Sequence, residues 1–106
     1  MGLNDKVLSH IRMLANGVVA SSNERNSWAA AVEVRRNEKG AHIQVRLRPG
    51  TEAPSDPLLE LADLADAIRS ELRLERDKIG AAIYGTSEST FESEGDLRFE
   101  FDVWQL

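Results

Sequence analysis

Between residues 5 and 20 the apolar side chains Val7, Leu8, Ile11, Leu14, Ala15, Val18 and Val19 recur at i, i+3, i+4 and i+7, which sets them along one stripe of a helix. Asn4 stands where a cap belongs. Gly17 interrupts the helical pattern at a cost of roughly 1 kcal/mol relative to Ala, marking a close packing contact or early fraying. The run Ser21-Ser22-Asn23-Glu24-Arg25-Asn26-Ser27 has no apolar period and predicts a surface loop.

From residue 28 to residue 36 the period changes to two, with Trp28, Ala30, Val32 and Val34 alternating against Ala29, Ala31, Glu33 and Arg35. Residues 37–40 form a compact turn in which Gly40 can supply a positive φ. Alternation then resumes, with Ile43, Val45 and Leu47 inward and His42, Gln44, Arg46 and Arg48 outward. These two strands predict a hairpin with one wet, basic face. Two prolines and a glycine over residues 49–54 end the second strand.

Asp56-Pro57 reads as a cap followed by proline at the first helical position, where the missing N–H is no loss. A long helix follows to about residue 76. Its apolar stripe is Leu58, Leu61, Leu64, Ala65, Ile68 and Leu72, with Glu60, Asp63, Asp66, Arg69, Glu71 and Arg73 toward solvent. Residues 78–84 predict a third strand, residues 85–96 a Ser/Glu-rich connection with extended character around Phe91. The strongest strand pattern lies at 97–104, where Leu97, Phe99, Phe101 and Val103 oppose Arg98, Glu100, Asp102 and Trp104.

The order αββαββ predicts an α+β two-layer sandwich, a four-stranded antiparallel sheet with both helices on one face. A chain of 106 residues without cysteine fits a single domain spanning 1–106 whose core needs no disulfide. No leader pattern or apolar run long enough to span a bilayer is read, so a cytoplasmic protein is expected.

Charge adds an asymmetry that the hydrophobic pattern does not show. Residues 1–53 carry eight Lys/Arg against five Asp/Glu, or +3, and residues 54–106 carry five against thirteen, or −8, which gives the net −5. The acid is densest at Glu88, Glu92, Glu94, Asp96, Glu100 and Asp102, faced by Arg98 alone. Such a surface attracts basic partners and repels nucleic acid. Trp104, at the end of the charged face of the last strand, supplies the large aromatic anchor typical of protein contact sites. Asp63 and Asp66 on the second helix are secondary candidates.

Chemistry beyond binding has little support. His10 and His42 stand in no ligand spacing, and no serine occupies a nucleophile elbow or S-x-x-K arrangement, so neither metal nor cofactor nor enzymatic activity is expected. Phosphate-binding glycine loops are missing. Arg35, Arg36, Arg46 and Arg48 could gather on one hairpin face, yet no aromatics for base stacking are interleaved with them.

The pattern resembles the small bacterial immunity proteins of contact-dependent and polymorphic toxin systems, particularly YezG-like ones. The matching pieces are the aliphatic first helix over residues 7–19, the strand opened by Trp28, the Leu-rich helix over 58–72, and the terminal Gly95-Asp96-Leu97-Arg98-Phe99-Glu100-Phe101-Asp102. The resemblance implies an antitoxin-like inhibitor that binds and neutralises one cognate toxin domain, commonly a nuclease, through protein–protein contact. A nuclease presents a basic cleft to phosphates, so an acidic surface can compete for it and speed association. The rival reading is a non-enzymatic adaptor or secretion chaperone.

Overall fold

The computed structural model describes residues 5–38, 40–48, 50, 52–74, 83–84, 88–93 and 96–105, with side chains described for 5–38, 40–48, 50, 52–74 and 97–104. Along the chain these form α1 (Asp5–Arg25), β1 (Ala30–Arg36), β2 (Gly40–Leu47), α2 (Pro57–Leu74), β3 (Ile83–Tyr84), β4 (Glu88–Ser93) and β5 (Asp96–Gln105). The architecture is α+β, two helices against an antiparallel sheet. Three strands, β1-β2-β5, run side by side with β1 at one edge, and β4 and β3 pair along the far edge of β5.

Register follows from the apolar alternation. Val34 lies opposite Ile43 and Ile43 opposite Phe101, while Val32 lies opposite Val45 and Val45 opposite Phe99. Directly paired residues share a face, so these side chains form continuous apolar rungs across three strands. Ile11, Ala15, Leu61, Ala65 and Ile68 from the helices close over them, all fully buried. The helix stripes and the strand alternation therefore meet in one core.

Several details depart from the sequence pattern. Helix α1 continues to Arg25, through part of the expected loop, because Ser22 is buried and Asn23 is bonded to the sheet. Tertiary contacts thus extend a helix where periodicity had ended. Trp28 is buried but precedes β1, which starts at Ala30. Gly17 is neither packed nor frayed: it sits within the helix with nothing within 4 Å of where a Cβ would be.

Gly40 does not use a positive φ, which among the described residues belongs to Gly50. A Cβ at Gly40 would lie 2.3 Å from the Val103 carbonyl oxygen and 2.9 Å from Trp104 Cα. Close approach of β2 to β5 is what requires glycine there.

Helix α2 starts as read, with the Leu59 N–H donating to Asp56 Oδ1 at 3.3 Å. Leu58, placed in the apolar stripe, is instead exposed, as is Leu59. Arg69, placed toward solvent, is only 8% exposed: its guanidinium lies 5.1 Å from the Phe101 ring centre and pairs with Asp66. A long aliphatic stem and a planar cation over an aromatic explain how it enters the core edge.

The strand expected at 78–84 is described only at Ile83–Tyr84, residues 78–82 lying outside the described residues. The expected connection at 85–96 instead contains β4, which returns against β5 from Ser93 opposite Asp96. Serines, a threonine and glutamates mask its period. Strand β5, by contrast, matches its pattern closely.

Candidate functional site

The face of β1-β2-β5 opposite the helices is polar, and its side chains interlock. Register puts Arg35, His42 and Asp102 on one rung, Glu33, Gln44 and Glu100 on the next, and Arg46 beside Arg98 on the third. His42 Nδ1 lies 2.7 Å from Asp102 Oδ1, and its Nε2 lies 3.5 Å from Glu100 Oε2. The Asn37 amide also donates to Asp102, at 3.1 Å. Gln44 donates to Glu100 and accepts from Arg46, which approaches Glu33 at 3.9 Å.

Electrostatically this ladder is mixed. Its described carboxylates, Glu33, Glu100 and Asp102, stand against the guanidiniums of Arg35, Arg46 and Arg98. Arg35 holds the Glu33 carboxyl below its ordinary range, first by a hydrogen bond that outweighs an opposing desolvation and then by its charge, with Arg46 and His42 adding to the effect. Arg35 is raised in return. Gln44, buried at the centre, ties the two sides together.

Such a network holds its members in fixed rotamers. Glu100 and Asp102 are partly covered, 20% and 31% exposed, and each carries bonds to neighbours on β2 or the turn. Less side-chain entropy remains to be lost when a partner docks on groups ordered in advance. Trp104 extends the same face of β5, half-buried and opposite Gly40, so the missing side chain on β2 faces a large ring on β5.

The expected binding residues divide among several places. Glu100, Asp102 and Trp104 alternate along β5 on the open face. Asp96 pairs through its backbone with Ser93, while Glu88 and Glu92 occupy the register positions opposite Phe101 and Leu97, and Ser89 the one opposite Glu100. Glu94 lies outside the described residues. Asp63 and Asp66 are on α2, in the other layer, where Asp66 pairs with Arg69.

Sequence reasoning did not assign His42, Gln44, Glu33 or Arg98 to this site. Their polar alternation marked a wet strand face, but only register shows that His42 meets Asp102 and Gln44 meets Glu100. Among the described residues no group of His, Cys, Asp or Glu is placed to hold a metal ion, and no helix is long and apolar enough to cross a membrane.

The helix layer has relief of its own. A groove of about 380 Å³ runs between α1 and α2 over Met13, Leu14, Gly17, Val18 and Ala67. A second hollow of about 330 Å³ continues from Val18 and Ala67 toward Trp28, Leu64, Glu60 and Asp63. No protein-family model, curated protein or solved structure matches this chain, so its own geometry carries the functional argument.

Proposed function

We propose that this chain is an immunity-type protein that binds and neutralises a cognate bacterial toxin domain, a nuclease being the partner its charge fits best. The carrying observation is the open face of β5, where Glu100, Asp102 and half-buried Trp104 lie in line, the two acids held by His42, Gln44 and Asn37. An aromatic anchor beside ordered carboxylates suits a basic protein surface. In this reading β4 and β3 complete a four-strand-wide sheet beside β5; Glu88 and Glu92, in register with Phe101 and Leu97, fall on the helix side and, with Asp96 and Glu94, add to the charge of the chain without joining the row of Glu100 and Asp102. Asp63 and Asp66 join only if the partner wraps onto the helix layer.

The net charge of −5 favours rapid encounter with a cationic enzyme and disfavours nucleic acid as the direct ligand. His42 serves in this reading to orient Asp102 and Glu100. The protein acts by occupying the toxin's cleft, without catalysis and without a cofactor, in the cytoplasm of the producing cell. The second reading, an adaptor or secretion chaperone, uses the same face without blocking an active site.

Co-expression with candidate toxin domains, taken first from genes neighbouring this one, tests the proposal by cell survival and co-purification. Rescue that is lost in Trp104→Ala and weakened in Glu100→Gln/Asp102→Asn supports it. Co-purification without rescue selects the adaptor reading, and full rescue by both variants removes this face from the interface.

A further inference from the structure

Two small residues, Gly17 on α1 and Ala67 on α2, line the groove between the helices. Gly17 has nothing within 4 Å of its would-be Cβ, and Ala67 lines both hollows from the α2 side. Larger residues there would let the helices interdigitate and close the surface. Instead Met13, 60% exposed, and half-buried Leu14 and Val18 remain open to solvent along the cleft.

Its rim is acidic in a way the sheet face is not. Glu60, Asp63 and Glu71 border the two hollows, with Arg25 as the cation among the rim residues. Glu33, Glu100 and Asp102 each have cationic or His partners on the sheet, whereas Glu60, Asp63 and Glu71 make no ion pair among the described residues. An apolar floor with unpaired carboxylates along its sides matches an amphipathic helix whose flanks are basic.

We propose that this interhelical groove docks a lysine- or arginine-flanked amphipathic helix of a partner protein, its apolar ridge over Gly17 and Ala67 and its cations at Glu60, Asp63 and Glu71. The groove does not rest on the sheet-face reading, because the two surfaces belong to opposite layers of the sandwich; Asp63 is the residue named in both. A second copy of this chain is a poor occupant, since the acidic rim would meet another molecule of net charge −5. An anionic bilayer is repelled by the same carboxylates.

The test uses a fluorescein-labelled helical peptide with leucines at i, i+3, i+4 and i+7 and lysines elsewhere, titrated with the full chain. Saturable binding that weakens at least about tenfold in Gly17→Leu, and again in Glu60→Lys/Asp63→Lys/Glu71→Lys, is expected. Methyl resonances of Met13 shift on binding, and the Trp104 indole does not. Gly17→Leu fills open space on a helix, so its melting temperature stays level or rises and lost binding is not lost folding. Absence of saturable binding, equal affinity for Gly17→Leu, or equal binding of a leucine/glutamate peptide overturns the proposal. A dimer in sedimentation that Gly17→Leu dissociates also overturns it, assigning the groove to self-association.

Discussion

Asn23 on α1 stands in for a neighbouring strand of Ala30: its amide donates to the Ala30 carbonyl at 3.0 Å and its oxygen accepts the Ala30 N–H at 2.8 Å. The odd-numbered residues of β1 face β2, as the bonds Arg48 N–H to Ala29 and Asn37 N–H to Gly40 show, so Ala30, Val32 and Val34 turn their backbone groups outward. Arg12 reaches the Val34 carbonyl on the same border, at 3.3 Å.

Replacing Asn23 with Ala leaves the outward groups of Ala30 without that partner. A loss of about 1 to 3 kcal/mol is expected from the desolvated donor and acceptor. Chemical denaturation measures it, and Asn23→Asp, which keeps only the acceptor, should fall between Ala and the parent. An Asn23→Ala protein as stable as the parent would show that water replaces the amide without cost.

Gly40→Ala should destabilise by about 1 to 3 kcal/mol or more, because the added carbon meets backbone atoms of Val103 and Trp104 that have no rotamer to yield. Gly17→Ala, in the open groove, should do the reverse by up to about 1 kcal/mol. The opposite signs at two glycines are readable from thermal melts. Equal effects would mean that helix or strand propensity alone governs both.

Arg69→Ala should cost more than Asp66→Ala. The arginine is buried over Phe99 and Phe101, and its carboxylate partner is largely solvent-exposed. Loss of the stem contacts and ring stacking removes about 1 to 2 kcal/mol, whereas an i, i+3 pair whose carboxylate is open to water carries a few tenths. Arg69→Met, retaining the aliphatic volume, should recover part of the difference in the same denaturation assay.

Acid unfolding should report on Glu33. Its carboxyl titrates below its ordinary value in the fold, chiefly through the hydrogen bond from Arg35. A lowered folded value stabilises above the unfolded one, about 4.3 for Glu, and that contribution disappears as pH falls through the folded value. Glu33→Gln should therefore flatten the decline in stability below about pH 4 while leaving the slope near pH 7 unchanged. Denaturation midpoints over a pH series decide this, and an unchanged acid limb would remove Glu33 from the linkage.

Both helices and the three central strands were legible because their buried positions repeat cleanly: Ile11 and Ala15, Leu61 and Leu64, Ile43 and Val45, Phe99 and Phe101. Strand β4 was legible only as extended character around Phe91, since Ser89, Thr90, Glu92 and Ser93 offer no alternating apolar set and its pairing is dictated by β5. Arg69 was misplaced because a single-residue hydropathy ignores its stem. The polar ladder was half legible: alternation identified its members as outward, but the meeting of His42 with Asp102 depends on how two distant strands align.

The seal that Asn23 and Arg12 place on β1 leaves the sandwich with unequal borders. Strand-by-strand stacking needs two receptive margins to propagate, and here one is obstructed by helix side chains. An obstructed β1 margin denies a growing stack one of the two surfaces it would need, so strand-on-strand extension through this border is disfavoured.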